Sequence, residues 1–208
     1  MPDKFLTDGG KHALTDAVRA LEARSSAELV FAVRPSSGRY LHVDFAVATV
    51  AAFLTLAFLL FSPWEFGLVS ILLEPWLVGL LFGFVASRFP AIRPFLTRRK
   101  TLDEHVDQAA KATFFERRIS QTTGRTGILI YVSLLERRAV TVVDVGVEVA
   151  VPEDTWPRLT AAIDDAVRRG GDATALAQAV LGLGDILEQT LERAPDDVNE
   201  LPDEVHHP

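Results

Sequence analysis

Two long apolar stretches in the middle of the chain constrain its fold more than any other feature. The first, residues 45–61, has no charged residue, and the second, residues 66–87, has only Glu74. A helix rises about 1.5 Å per residue, so it needs roughly 20 apolar residues to cross the hydrocarbon core of a bilayer. The first stretch reaches that length when it is extended to residues 41–64, and a short linker, residues 62–65, joins the two. We therefore predict a transmembrane helical hairpin.

The start of the second span has two interpretations. A carboxylate near the middle of a span costs about 2.5–3.5 kcal/mol on insertion scales. Pro75 suits the first turn of a helix, and Trp76 suits the membrane interface. The alternative to a full-length span therefore places residues 68–73 along the outer interface and begins the crossing at Pro75.

The charges around the hairpin predict its orientation. The linker carries Glu65 and no base, whereas Arg34 and Arg39 precede the first span. The segment after the second span carries the basic residues Arg88, Arg93, Arg98, Arg99 and Lys100. The positive-inside rule then places both termini of a two-pass membrane protein in the cytoplasm and the linker outside. The same bases would attract anionic membrane lipid, at about 1 kcal/mol each near the surface. The N-terminus has no apolar core of a cleavable secretory signal.

Composition limits the soluble part to one domain. The chain has 208 residues, of which roughly 150 lie outside the hairpin, a usual single-domain size. It has no cysteine, which excludes disulfides and cysteine metal sites. The net charge of −7 argues against nucleic acid as a partner.

Hydrophobic periodicity and turn residues predict an α/β fold. The predicted helices are 10–24, 101–120, 153–169 and 172–193, and the predicted strands are 28–33, 126–134 and 139–143. Residues 144–146 are predicted to close the last strand, with a bulge at Gly146. Because a lone apolar strand cannot bury itself, the strand before the hairpin should pair with those after it. The prediction is a small α/β/α sandwich interrupted by the hairpin. Its segments are residues 1–40 (helix and first strand), 41–100 (hairpin and basic segment), 101–193 (the rest of the domain) and 194–208 (an acidic tail).

Several segments carry a family resemblance. They are EARSSAELV (22–30), TGRTGILIYVSLLERR (123–138), Val143-Asp144 and APDDVNELPD (194–203). Together they resemble bacterial membrane members of the TPM domain family, which carry a two-helix transmembrane insertion. That family is linked by resemblance to thylakoid proteins of photosystem II repair. The resemblance implies a TPM-like α/β sandwich. It leaves the activity open, since some members are described as acid phosphatases or calcium-binding proteins and others as accessory or assembly factors.

Acidic side chains are the candidates for chemistry. Glu136 and Asp144 flank the predicted hairpin of strands, where a carboxylate pair could act as acid and base or hold a metal. Turn solvation and capping explain the two residues equally well. The candidate ligands of a divalent cation, calcium or magnesium, are Asp144, Asp196, Asp197, Glu200 and Asp203. The tail does not have the spacing of a calcium loop, and a solvated tail is the simpler interpretation.

Small residues recur in both spans. Gly79, Gly83 and Ser87 follow one another at intervals of four, and Ala48 and Ala52 form a similar face in the first span. Such faces let membrane helices approach closely. They predict either packing of the two spans within one hairpin or a homo-oligomer through Gly79, Gly83 and Ser87.

Two functional hypotheses follow. The first is a membrane-anchored accessory protein whose cytoplasmic TPM domain binds a protein partner in the assembly or repair of a membrane complex. The second is a metal-dependent phosphatase that uses Asp144, Glu136 and the carboxylates of the tail. The absence of a G-x-S-x-G motif and of cysteine favours the first, and the sequence alone does not decide whether the protein is an enzyme.

Overall fold

The computed structural model describes residues 5–193 and 200–201. They form a mixed α/β structure that is mostly helical, with a small three-stranded sheet and two long apolar helices. The chain divides into two compact units. The soluble unit contains the residues up to Ser37 and those from Asp103 onwards, and the hairpin unit is Gly38–Leu102.

Helices and strands follow one another in an order close to the predicted one. The helices are α1 (Asp8–Glu22), α2 (Leu41–Phe61), α3 (Leu68–Arg88), α4 (Arg93–Leu96), α5 (Arg99–Glu116), α6 (Val145–Ala150), α7 (Trp156–Arg168) and α8 (Ala173–Thr190). The strands are β1 (Glu28–Arg34), β2 (Gly127–Ser133) and β3 (Arg138–Val143), and short 3-10 turns cover Pro90–Ile92 and Ile119–Gln121.

The sheet has the order β1-β2-β3. β1 runs parallel to β2, with Glu28 opposite Gly127, and β2 runs antiparallel to β3, with Ser133 opposite Arg138. The predicted pairing of the strand before the hairpin with a strand after it is confirmed. The hairpin unit is therefore inserted into the chain between two neighbouring strands of one sheet.

Both faces of the sheet are buried, which explains why β1 and β2 are continuously apolar rather than alternating. Leu29, Phe31 and Ile130 face a core shared with α1, α7 and α8. Val30 and Leu129 face a second core, shared with α5. On this second face, the α5 face, the strand ends carry polar residues, and these build the sites described below.

The hairpin unit has the opposite pattern of burial. α2 and α3 each have 21 residues and are long and apolar enough to cross a membrane. Their large apolar side chains point outwards, as at Phe53 and Leu68. Such a surface is compatible with a two-pass membrane protein.

The two long helices meet through small residues. A Cβ atom added at Gly79 would lie 2.9 Å from the carbonyl oxygen of Ala48 and 3.1 Å from the Cβ of Ala52. One added at Gly83 would lie 3.0 Å from the Cβ of Ala48. Packing within the hairpin thus uses two of the three residues proposed for a homo-oligomer. Oligomerisation through Gly79, Gly83 and Ser87 stays a prediction.

An ion pair links the start of α2 to the segment that follows α3. The Nη2 of Arg93 donates to Oδ2 of Asp44 over 3.0 Å, and both side chains are largely buried. Asp44 therefore enters the first turn of an apolar helix with its charge balanced. The pair joins the two ends of the hairpin that leave the apolar region.

Two details of the predicted secondary structure are wrong. α3 is one helix from Leu68 that contains Pro75, so Pro75 does not lie in the first turn of a helix. The point along α3 where a membrane crossing begins stays a prediction. Proline is tolerated in a membrane helix because its neighbours satisfy the freed carbonyl. The predicted bulge at Gly146 is instead the first turn of α6, because the Asp144 side chain accepts from the Val145 N–H over 2.8 Å and caps the helix.

Candidate functional site

A buried polar cluster lies at the end of the sheet where β1 and β2 terminate. We call it the Glu136 cluster, consisting of Ser36, Ser37, Tyr131, Ser133 and Glu136. β1 leads directly into Ser36 and Ser37, and the pairing of the two chains continues beyond the strands, because the Leu134 N–H donates to the Arg34 carbonyl. The turn after β2 carries Glu136 back towards these serines. Only 2% of Glu136 is exposed, so the expectation of a solvated turn residue is wrong.

The Glu136 carboxylate accepts hydrogen bonds from neutral donors on two segments. Its Oε1 accepts from the Ser37 N–H over 3.1 Å and from the Ser36 hydroxyl over 3.3 Å. Its Oε2 accepts from the Ser133 hydroxyl over 2.5 Å. The residues that lead into the hairpin unit are thus fastened to the turn between β2 and β3.

Three hydroxyl groups extend the cluster. The Ser37 hydroxyl donates to the Ser133 oxygen over 2.6 Å and lies 3.0 Å from the Tyr131 oxygen. When the Tyr131 hydroxyl is the donor, each hydroxyl in turn donates to the next, and the chain ends on the Glu136 carboxylate. Burial raises the pKa of Tyr131, against the lowering effect of the Ser37 hydrogen bond. Ser133 is completely buried, so its hydroxyl cannot reach a substrate and the cluster holds the fold together.

Asp144 lies at the opposite end of the sheet. Its backbone N–H donates to the Gly127 carbonyl over 2.9 Å, beside the start of β2. Arg125 binds both carboxylate oxygens, from Nε to Oδ2 and from Nη2 to Oδ1, each over 2.7 Å. These hydrogen bonds raise the pKa of Arg125. The predicted capping role of Asp144 is confirmed, and its charge is balanced by a guanidinium that is itself about half exposed (55%).

The register of β2 and β3 places Glu136 and Asp144, which the sequence suggested as a carboxylate pair, far apart. Glu136 follows Ser133, and Asp144 lies beside Gly127, at the other end of the same strand. Six steps along a strand span about 20 Å. Glu136 and Asp144 therefore cannot act on one reacting atom or hold one cation.

The described part of the tail docks near the start of the sheet. Oε1 of Glu28 accepts from the Glu200 N–H over 3.2 Å, and Oε2 accepts from the Leu201 N–H over 3.1 Å. The Glu200 carboxylate accepts from the Thr123 N–H over 2.8 Å. Hydrogen bonds from the Thr123 side chain and backbone lower the pKa of Glu200. Glu200 thus lies at the same end of the sheet as Asp144.

The remaining candidate ligands, Asp196, Asp197 and Asp203, lie outside the described residues. Within residues 5–193 and 200–201, no group of three or more histidine, cysteine or acidic side chains is arranged to hold a metal ion.

Sequence reasoning missed the partners of the Glu136 and Glu28 carboxylates. Ser37 and Glu136 are 99 residues apart, and Glu28 and Leu201 are 173 residues apart. One local signal was available: Glu28 opens an otherwise apolar strand, a position where a carboxylate needs a partner. The other residues, Ser36 and Ser37, had the composition of an ordinary loop.

Comparison with known proteins gives a structural relative. No protein-family model and no curated protein matches the chain. The NMR structure of the BA42 protein from the psychrophilic bacterium Bizionia argentinensis matches with a TM-score of 0.61. The two sequences are 18% identical, and the match covers 100% of this chain and 99% of that one. At this identity the likeness concerns the fold alone.

Proposed function

We propose that this chain is a membrane-anchored accessory protein with a TPM-like α/β/α sandwich. In this proposal the hairpin lies in the bacterial inner membrane, and both termini are cytoplasmic. The soluble unit binds a protein partner during the assembly or repair of a membrane complex. The two long apolar helices, the mixed α/β unit and the resemblance of residues 22–30 and 123–138 to TPM members support this function.

One observation carries the accessory role: both predicted catalytic carboxylates are committed to the fold. Glu136 accepts from the Ser37 N–H and the Ser133 hydroxyl and so fastens the segment before the hairpin unit. Asp144 caps α6 and is bound by Arg125 on both oxygens. Carboxylates held in this way stabilise a binding scaffold. Catalysis would first require them to give up these partners.

One observation favours the second candidate, a metal-dependent phosphatase. Arg125, Asp144 and Glu200 lie at the same end of the sheet, and the Arg125 side chain is about half exposed. A guanidinium and carboxylates are groups that a phosphate and its cation would use. Binding a cation through Asp144 would require it to replace the two hydrogen bonds from Arg125.

The deciding experiment is an affinity pull-down of the full-length chain from detergent-solubilised membranes, beside a phosphatase assay with and without calcium or magnesium. An unrelated two-span membrane protein serves as the control bait. We expect a defined membrane protein to co-purify with this chain and not with the control. Metal-dependent release of phosphate that is lost in Asp144→Asn, without any co-purifying protein, would establish the phosphatase instead.

The orientation is tested separately. A reporter that is active only outside the cytoplasm should give no signal when fused to the C-terminus and a signal when inserted at Trp64. The reverse pattern contradicts a cytoplasmic soluble unit.

A further inference from the structure

The contact between the tail and the sheet has the form of a peptide-binding site. We call it the Glu28 site, consisting of Glu28, Thr123 and the apolar core on the α5 face that Leu201 contacts. Glu28 is 6% exposed and uses both carboxylate oxygens to bind two consecutive N–H groups of the tail. A charged acceptor for a backbone N–H is roughly twice as strong as a neutral one. The main chain of the tail is therefore recognised independently of its side chains.

Two side chains of the tail add selectivity. The carboxylate of Glu200 accepts from the Thr123 N–H over 2.8 Å, in a loop where Gly124 and Arg125 both have positive φ. Leu201 packs against the core that includes Val30 and Leu129. The site thus distinguishes a segment with an acidic residue followed directly by a large aliphatic one. It also requires an N–H on both residues, which excludes proline at either position.

We propose that the Glu28 site is a docking site for an acidic–leucine segment of a partner protein, and that the tail of this chain occupies it as a competing ligand. This inference rests on the proposed function, because it names the kind of segment by which the partner is bound. The described contact is one dipeptide that donates two backbone hydrogen bonds to Glu28, accepts one from the Thr123 N–H through the Glu200 carboxylate, and makes one apolar contact. Any extended segment with the same two residues in this order supplies the same groups.

Among the described residues, the tail occupies the Glu28 site through only two, and this is sufficient because the tail belongs to the same chain. A segment on a short linker experiences an effective concentration of roughly millimolar at its own site. An intrinsic affinity that is weak for a free peptide is therefore sufficient within one chain. A partner displaces the tail only when it is also held nearby, as a protein in the same membrane is.

The test uses a labelled peptide of residues 198–203, with the sequence VNELPD, and the full-length chain in detergent. The tail is released by the double substitution Glu200→Pro and Leu201→Pro, which removes both N–H donors to Glu28 together with the two side-chain contacts and leaves Glu28 and Thr123 unchanged. By fluorescence anisotropy, we expect the released variant to bind the peptide at least tenfold more tightly than wild type. Equal affinity of the two proteins, or no binding to the released variant, overturns the proposal.

Changes in the peptide test the contacts without disturbing the fold. Methylation of the leucine amide nitrogen removes the donor to Glu28 and should weaken binding to the released variant at least tenfold. Replacing the peptide's glutamate by glutamine should weaken it several-fold, because the charged acceptor for Thr123 is lost. A methylated peptide that binds as well as its parent shows adsorption elsewhere and overturns the proposal.

The outcome separates this inference from the proposed function. A protein that co-purifies with the chain while the peptide fails to bind leaves the accessory role intact and removes the Glu28 site as its docking surface. A peptide that binds as expected while no protein co-purifies establishes the Glu28 site as a binding site for the tail segment alone and removes the accessory role.

Discussion

The two ends of the sheet each hold a buried carboxylate, and different kinds of donor bind the two. Glu136 and Asp144 are 2% and 4% exposed, so burial does not distinguish them. Glu136 is bound by neutral donors, among them the Ser133 hydroxyl and the Ser37 N–H. Asp144 is bound by the guanidinium of Arg125, which water also reaches.

The difference determines what happens when the carboxylate is removed. At the Glu136 end, the Ser133 hydroxyl is fully buried and loses its acceptor without access to water, whereas Ser36 and Ser37 are partly exposed. At the Asp144 end, Arg125 turns to solvent and only the cap of α6 is lost. Removing the carboxylate should therefore cost more at the Glu136 end, which we call the fixed end. It should cost less at the Asp144 end, where the tail also docks and which we call the exchanging end.

The sharpest test of this contrast is Glu136→Ala. The buried Ser133 donor left without an acceptor costs about 1–3 kcal/mol and the partly exposed Ser36 and Ser37 donors add less, so the variant should lose about 3 kcal/mol of stability in the soluble unit. Hydrogen exchange of the β2 amides in the detergent-purified chain measures the free energy of opening. This probe is confined to the soluble unit and does not require the whole chain to unfold in one step.

The matched control for this prediction is Ser36→Ala. It removes one hydrogen bond to the same carboxylate oxygen and leaves the Ser37 N–H and the Ser133 hydroxyl in place. A loss of about 1 kcal/mol or less is expected. Similar losses for Glu136→Ala and Ser36→Ala would show that the cluster is not the fixed end of the sheet.

At the other end, Asp144→Ala should cost less than Glu136→Ala. Loss of the helix cap accounts for about 1–2 kcal/mol, and the exposed Arg125 adds little because water replaces its partner. Asp144→Asn keeps a capping oxygen and should recover most of the loss. The measurement is the exchange of the α6 and β2 amides. A loss for Asp144→Ala that equals or exceeds that of Glu136→Ala would contradict the contrast between the two ends.

Much of the fold could be predicted because its signals are local. The apolar runs predicted β1, β2 and both long helices, and the burial requirement of a lone strand predicted that β1 pairs with a strand after the hairpin, although not that the pairing is parallel. Capping by Asp144 was also within reach, since the side chain binds the N–H of the next residue.

The two polar sites could not be predicted, because their partners are distant in sequence and ordinary in composition. Glu136 in a turn has the appearance of a solvated residue, and it is buried only because Ser36 and Ser37 leave β1 beside it. Glu28 and Leu201 meet from near the two ends of the chain. The separation of Glu136 from Asp144 required the register of β2 and β3, which fixes how far apart the ends of a hairpin lie.

The next smaller predicted effect is a loss of folding stability at high pH, which arises from Tyr131 at the Glu136 end. Burial raises the pKa of Tyr131, so the folded chain retains this proton at a pH where an unfolded chain, with a pKa of about 10, loses it. The contribution is fully present below pH 10 and is lost as the pH rises through the folded value. Tyr131→Phe should cost about 0.5–1 kcal/mol at neutral pH and remove this alkaline dependence.

Tyr40 is the other of the chain's two tyrosines and provides the control. In Tyr40→Phe, the absorbance of tyrosinate reports on Tyr131 alone. Its titration midpoint should lie above that of a free tyrosine. A midpoint at or below the usual value would contradict the enclosed chain of hydroxyl groups.

The smallest predicted effect concerns acid at the exchanging end. Hydrogen bonds from Thr123 lower the pKa of Glu200. Its contribution to tail docking is therefore present above pH 4.3, about the unfolded value, and is lost as the pH falls through the folded one.

The measurement is the hydrogen-exchange protection of the Leu201 amide, corrected for its intrinsic rate at each pH. We expect protection at pH 7 that declines below about pH 4. Because Glu28 also binds that amide, the comparison with Glu200→Gln isolates the contribution of Glu200. Glu200→Gln should be less protected at pH 7 and should differ least from wild type at the lowest pH. A constant difference between the two chains across this range would show that the Glu200 carboxylate does not hold the tail, and that Glu28 and Leu201 alone do so.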